Sequence, residues 1–461
     1  MPHLRLFFST LLVLFGAVQP AFTGQVDGFF GVASHSLHTR QIYPKMDDTW
    51  LLTRTAPIQQ DLGTPWVAEA IYALTAKRSA LVDDGTANTA DKVRILERRK
   101  LIDTWFSIYD RMGKRVVLTV MAAAPRAKNS QVINDAFGDW IADLVRLHPS
   151  IEVVQMHNEP NLKSFWPDTP EEYVKVYASI AEKVRKRRPQ ITISVGAISS
   201  LSWPPGRAWQ KSAIDAGMLK FADAVSVHPY NLKSPPEMDP HLQVPLRDAL
   251  VAYWKEVEAA SPAGKHLKLY LTELGYSSAD DGIAGIGSEL LQANYLARLM
   301  MLYVDFRLRD NIPIDAVFWY DLKNDGPDPA KQGHNWGLVT NNLDRKKPAF
   351  EAYKRIIEAI PDLSQMRASS NRFVAETRNL EITPWVSKTG DYTIGLWRTD
   401  QEDEPVSLDF KPDGKLKCGS AEVLDVQSGE TTQIAVADEG PKCKLTIANV
   451  SGVKIIKIRG N

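Results

Sequence analysis

Short apolar, β-branched runs alternate with amphipathic segments through most of the chain. The first run, Phe29-Phe30-Gly31-Val32-Ala33-Ser34-His35, reads as a buried strand, and a short helix ending at Leu62-Gly63 follows. Strand-like runs return at Pro65 to Tyr72, Val116 to Met121, Glu152 to Met156 and Ile191 to Val195. They continue at Ala224 to His228, Leu267 to Leu271 and Ala316 to Trp319. Between them, apolar residues recur at helical spacing, as in Leu96 to Met112, where Leu96, Leu101, Trp105 and Ile108 fall at spacings of three to five. Further helices are predicted over Asp135 to Leu147, Pro170 to Arg188 behind a Thr169 N-cap, Leu246 to Ala259, Ser288 to Arg309 and Pro348 to Ile360. Asp83 to Asn88 is a polar loop. Eight strands, each followed by a helix or a helix-sized segment, predict an α/β chain closed as a (β/α)8 TIM barrel. An open doubly wound sheet is the alternative, disfavoured because no G-x-G-x-x-G follows a strand.

From residue 366 the helical period is gone. Thr393 to Trp397, Val406 to Phe410, Ala421 to Leu424 and Val453 to Ile458 read as short strands with turns between them. This predicts a barrel domain over 25–365 and a small antiparallel β-sandwich over 366–461, which packs on the barrel more readily than it binds sugar. The chain's two cysteines, Cys418 and Cys443, both fall in the second domain. In an exported chain such a pair reads as one disulfide, and otherwise as two buried thiols.

Export is itself a reading of the first residues. Arg5 precedes an uncharged apolar run from Leu6 to Val18, and small or polar residues follow at Ala21 to Gly24. This is the layout of a signal peptide over residues 1–24 and implies a secreted or periplasmic protein, although no clean A-x-A marks the cleavage bond. An uncleaved anchor is the other reading, against which the run is short. No other segment is apolar for long enough to span a membrane in the mature protein. The formal net charge is zero, with 55 basic and 55 acidic residues, which argues against nucleic acid or a polybasic membrane surface as partner. The basic run Lys183 to Arg188 closes a helix, where cations complement the dipole. A neutral polysaccharide or oligosaccharide is compatible with this balance.

The candidate chemistry lies at two strand ends. Val153-Val154-Gln155-Met156-His157-Asn158-Glu159-Pro160-Asn161 runs from strand four into polar residues and a proline. Leu269-Tyr270-Leu271-Thr272-Glu273-Leu274-Gly275 has the same form at strand seven. Barrel sites are assembled at the C-terminal ends of strands, so Glu159 and Glu273 are expected to face one another across one mouth. Two such carboxylates are the minimum equipment for glycoside hydrolysis, one protonated and one ionised. Neither H-E-x-x-H nor G-x-S-x-G is present, so the reading calls for no metal, no cofactor and no serine triad.

Asn158-Glu159-Pro160 on strand four with Glu273 on strand seven resembles the acid/base and nucleophile of glycoside hydrolase clan A, the retaining barrel glycosidases. The adjoining Asn161-Leu162 and Phe165-Trp166 are similar to family 39, especially its bacterial glycosidases linked to exopolysaccharides. The resemblance covers residues 29 to 360. It implies that Asn158 holds the sugar 2-hydroxyl and that His228, in His228-Pro229-Tyr230, contacts the nucleophile. It also implies that Trp319 floors the subsite of the reacting sugar. Trp166 and Trp336, with Tyr230, are expected around the substrate. From the residues alone, Trp319 is equally a core side chain and His228 a strand cap. One position departs from the pattern. The clan carries an arginine on strand two after a tryptophan, and here Trp66-Val67 is followed by Ala68 and Glu69. Either another cation substitutes, with Arg126 after strand three the candidate, or activity is reduced. The residues therefore pose two readings: a retaining hydrolase, and a glycan-binding protein that kept the barrel without the chemistry.

Overall fold

The computed structural model describes residues 28–34, 48–73, 81–281, 285–411 and 418–460. The signal-peptide reading over residues 1–24 lies outside the described residues. Eight parallel strands close into a barrel in chain order: β1 (Phe30–Ala33), β2 (Trp66–Tyr72), β3 (Arg115–Met121), β4 (Ile151–Met156), β5 (Thr192–Ile198), β6 (Ala224–Val227), β7 (Lys268–Leu274) and β8 (Ile314–Trp319). Closure is made by β1 against β8, with Gly31 opposite Phe318. Helices α1 (Asp48–Leu62), α2 (Thr89–Met112), α3 (Ser130–Leu147) and α4 (Pro170–Arg187) cover the first half. Helices α5 (Pro204–Asp215), α6 (Met218–Phe221), α7 (Leu246–Ala259), α8 (Glu289–Arg309) and α9 (Pro348–Ala359) complete the outer ring.

Alternation along the strands sorts two cores. Val67, Leu118, Val154 and Val225 face the helices, while Trp66, Ala68, Val117, Val153, Tyr270 and Phe318 fill the barrel. Trp66 meets Tyr270 and Phe318 edge to face, each at 6.0 Å between ring centroids, and these rings plug the bottom. Above Trp66 the inward positions of β2 are alanines, Ala68 and Ala70, and β1 contributes Ala33. Large residues below and small ones above leave a cavity at the C-terminal mouth.

Four helices differ from the sequence reading: α3 begins at Ser130 rather than Asp135 and α6 was not predicted, while α2 and α5 differ for reasons the structure shows. α2 starts seven residues before Leu96, at Thr89, because Asn88 and Asp91 form a reciprocal capping box. α5 follows β5, where no helix was predicted; Pro204 and Pro205 occupy its first turn, where a missing N–H costs nothing.

Among the described residues the C-terminal domain is a sandwich of ten strands. One sheet has six, in the order Thr431–Ala435, Ser420–Asp425, Lys454–Ile458, Tyr392–Arg398, Leu380–Ser387, Met366–Ala368. The other has four, in the order Phe373–Ala375, Val406–Phe410, Cys443–Ile447, Ala437–Asp438. Cys418 and Cys443 are disulfide-bonded, the first of the two readings of the pair, and tie the start of the first sheet to the second. Among the described residues no helix is long and apolar enough to cross a membrane.

Candidate active site

Strand β4 ends at Met156, and the next three residues make a tight, strained corner. His157 and Glu159 both have left-handed backbones, at φ +76° and +42°. Such conformations cost of order 1–3 kcal/mol each outside glycine and persist only where surrounding contacts impose them. Those contacts are present: the His157 amide donates to Val120 O at 3.1 Å and the Glu159 amide to Ala197 O at 3.0 Å. The Glu159 carbonyl in turn accepts from Leu162 N at 2.9 Å. The corner thus aims the Glu159 carboxylate across the barrel mouth.

His157 pins the corner from behind. Its ring is buried among Trp166 at 5.3 Å and Tyr177 at 5.8 Å, and its Nδ1–H donates to Asn158 O at 2.7 Å. Burial pulls its pKa down to about 4. The unfolded chain therefore takes up a proton between pH 6.5 and about 4 that the folded chain refuses. Stability supplied by neutral His157 is complete above pH 6.5 and is lost as pH falls through that window, by about 3 kcal/mol in total. Urea unfolding at pH 7.5 and pH 4.5 should show a loss about 2 kcal/mol smaller in His157→Gln than in the wild type. An equal loss in both proteins would remove His157 as a source of acid sensitivity.

Glu273 lies inside β7, not beyond its end. His228, directly after β6, sits between the two carboxylates. Its Nδ1 is 3.0 Å from Glu159 Oε1 and 3.6 Å from Glu273 Oε2, while Nε2 is 3.1 Å from Thr272 Oγ1. The Tyr230 hydroxyl donates to Glu273 Oε2 at 3.1 Å. One oxygen from each carboxylate and one His228 nitrogen all lie within 4.8 Å of one another. A trio so close could also share a cation, and among the described residues these three are the group with that spacing. Burial, then the negative charge of Glu273, raises the Tyr230 pKa far above its ordinary value, so the phenol is held as a hydrogen-bond donor. The same two causes raise Tyr72, at the end of β2, to about 12.

These groups open into a cavity of 410 Å³. Asn158 is half-buried in its wall beside Glu159, and the ring of Trp336 forms part of it with Tyr230 at 5.2 Å and Tyr320 at 6.0 Å, both edge to face. Tyr72 and Phe165 contribute further aromatic surface.

Two expected platforms are elsewhere. Trp319 is fully buried and lies outside the cavity wall; its indole N–H donates to Trp336 O at 3.3 Å. Strand alternation explains this: Phe318 points into the barrel, so Trp319 points to the helices and Tyr320 takes the place on the cavity wall. Trp166 is also fully buried, packed on His157 and Tyr173, with its N–H donated to Thr169 O at 3.1 Å. Both tryptophans shape the site from outside it. Tyr320, Phe165 and Tyr72 are the wall aromatics that the sequence reading missed.

Arg126 is no substitute for a strand-two cation. It is exposed at the surface and pairs with Asp168 at 2.6 Å. Glu69 turns its carboxylate to α2, accepting from Trp105 Nε1 at 3.0 Å and the Tyr109 hydroxyl at 2.5 Å. Glu273 accepts from the Tyr230 phenol and lies close to His228.

No family model matches the chain, and no curated protein matches it. Solved structures do resemble it. A family 39 glycoside hydrolase from the gut symbiont Bacteroides cellulosilyticus superposes with a TM-score of 0.68 at 18% identity, over 94% of this chain and 81% of that one. The catalytic domain of a family 30 xylanase C from Talaromyces cellulolyticus gives 0.55 at 12% identity, over 95% and 98%. CelM2, a bifunctional glucanase-xylanase from a metagenome library, gives 0.56 at 13% identity, over 95% and 96%. At these identities the likeness establishes the shared architecture, a TIM barrel carrying a β-sandwich.

Proposed function

We propose that the chain is an exported retaining glycoside hydrolase acting on a polysaccharide or oligosaccharide. The observation that carries the reading is the Glu159–Glu273 pair, with oxygens within 4.8 Å across an aromatic-walled cavity. Retaining enzymes hold their carboxyl groups about 5–5.5 Å apart, whereas inverting ones leave roughly 6.5–9.5 Å for a water. The similar barrels named above are glycosidases, which agrees with the reading, and a disulfide suits an oxidising compartment.

In the first step the ionised Glu273 carboxylate attacks the anomeric carbon. The glycosidic C–O bond breaks as the Glu159 proton passes to the leaving oxygen, giving a glycosyl ester on Glu273. In the second, Glu159 takes a proton from water, the oxygen attacks the anomeric carbon, and the ester releases Glu273. Tyr230 stabilises the ionised form of Glu273 by hydrogen bonding. His228 spans both carboxylates and can present an N–H to whichever carries the charge. Asn158, on the wall beside Glu159, is placed to hold a sugar hydroxyl.

Tyr230→Phe removes one hydrogen bond to a charged group and should lower kcat/KM roughly 10- to 100-fold in steady-state assays. Unchanged kinetics would take Tyr230 out of the mechanism.

A second reading, a glycan-binding protein without turnover, draws on one observation: the strand-two position beside Glu273 holds Ala68 and Glu69 where the resembling clan has a cation. The deciding experiment incubates the mature protein with α- and β-aryl glycosides and with neutral polysaccharides, and follows the first-formed product anomer by proton NMR. Retained product supports the proposal. Inverted product rejects double displacement, and binding without turnover establishes the second reading. Turnover lost to a chelator and restored by a divalent ion would instead make Glu159, His228 and Glu273 a metal site.

A further inference from the structure

The cavity-wall ring of Trp336 stands on the loop between β8 and α9, not on a barrel strand, so its aim depends on what holds that loop. Gln292, fully buried in the first turn of α8, reaches it. The Gln292 amide nitrogen donates to Trp336 O and Asn335 O, each at 3.2 Å, and to Tyr276 O at 2.7 Å. Tyr276 lies three residues beyond Glu273. One buried NH2 group thus ties the wall tryptophan to the strand that carries the nucleophile. Three carbonyl oxygens around the nitrogen leave the amide one orientation, since its own oxygen there would meet them acceptor against acceptor. In that orientation Oε1 is buried, with no donor among the described residues. An acceptor left in that state costs free energy, so the side chain is kept for its donors.

The two loops also meet directly. A Cβ on Gly275 would lie 2.5 Å from Tyr320 O and 3.4 Å from Trp336 Cε3, so the backbone just past Glu273 packs against the indole. Lys347, at the N-cap of α9, joins the same loops one step along, donating to Asn335 O at 3.2 Å and Ser278 Oγ at 2.9 Å. That tie keeps the loops together when Gln292 is replaced, whereas the Trp336 and Tyr276 carbonyls share the Gln292 amide alone as their common donor.

We infer that Gln292 is a positioning residue: through the carbonyls of Trp336 and Tyr276 it holds the indole at a set distance from Glu273, and so orients the glycosyl unit stacked on that ring. The inference rests on the glycosidase reading of this cavity. An indole that drifts weakens bound substrate and transition state alike, which raises KM and leaves kcat in place.

The test is a double-mutant cycle on whichever aryl glycoside the wild type cleaves. Gln292→Met keeps the length of the side chain and removes the donors. It should raise KM roughly tenfold and leave kcat within about twofold. Trp336→Ala should raise KM roughly 10- to 100-fold. Because Gln292 acts through Trp336, adding Gln292→Met to Trp336→Ala should change kcat/KM by less than about twofold. A further tenfold loss in the double variant means that Gln292 supports the fold at large and overturns the inference, as does a wild-type KM in Trp336→Ala or in Gln292→Met. If Gln292→Met does not fold, Gln292→Glu keeps shape and polarity while exchanging the donors for an acceptor, and the same cycle is read with it. If nothing is cleaved, the cycle is run by calorimetry on gluco- and manno-oligosaccharides. A Kd raised by each single variant, without additivity in the double, upholds the positioning role while rejecting hydrolysis; additive losses overturn the role alone. Neither turnover nor binding would reject the glycosidase reading and the inference with it.

Discussion

Glu273→Ala is expected to reduce kcat on the order of 10⁵-fold, with added azide restoring turnover to a glycosyl azide of inverted configuration. Loss of a covalent nucleophile has effects of this size because no other group forms the intermediate. Azide fits the space vacated by the carboxylate and attacks from the same face in one displacement, hence inversion. Glu159→Ala should behave differently. Substrates whose leaving group needs protonation should slow roughly 10²- to 10⁴-fold, while activated aryl glycosides still form the intermediate, because a phenolate departs unaided. Without a base for the second step, a glycosyl-enzyme should accumulate, visible by intact mass spectrometry, and azide should then give the retained product. The separation of the two outcomes is the point: a shared loss with no azide product would fit a binding defect, and hydrolysis surviving Glu273→Ala would mean that the nucleophile is misassigned.

How far the site was legible follows from where each residue sits. Glu159 and Glu273 could be read because a polar motif interrupting a β-branched run marks a strand end, and barrels place chemistry there. Their close approach follows from barrel closure, which brings β4 and β7 to one mouth. Tyr230 and His228 were found through the short segment after β6. Aromatic platforms were less legible, because the period of two must be counted from a known inward residue. The pair Ala316 and Phe318 points inward and puts Trp319 on the helix side, so the alternation already excluded that tryptophan from the cavity. Trp166 carried no such signal, since a loop residue has no period. Tyr72 was invisible for another reason: its place on the wall depends on the cavity that Ala33, Ala68 and Ala70 leave open. The sandwich was read as a domain, but four predicted strands stand against ten observed, the shortest ones too brief to show alternation.

The second domain is tied to the site through one buried ion pair, and breaking it should have the largest effect on stability. Glu237 lies on the connection between β6 and α7, the segment that begins with His228 and carries Tyr230. Arg298 of α8, 1% exposed, donates Nε to Glu237 Oε1 at 2.9 Å and a second N–H to Oε2. Trp397 of the sandwich donates its indole N–H to the same Oε1 at 2.8 Å. The parallel contact of Trp385 with Asp305 at 3.1 Å fixes a second point of the sandwich on α8. Arg298→Met leaves Glu237 buried without its cation and should cost about 3–5 kcal/mol in chemical denaturation, more than the pair's presence contributes. Trp397→Phe removes one charge-assisted bond while Arg298 remains and should cost about 1.5–3 kcal/mol. Adding Glu237→Gln to Arg298→Met should recover part of the loss, because the stranded charge is gone. Activity should fall with Arg298→Met at temperatures where the protein is still folded. The connection is held at Glu237 and by Asn231, whose side chain donates to Met238 O at 2.7 Å, so loosening it frees the Tyr230 hydroxyl from Glu273. If Arg298→Met costs under 1 kcal/mol, or if kcat is unchanged in destabilised protein, the sandwich is a passenger and not the clamp of the loop that carries Tyr230.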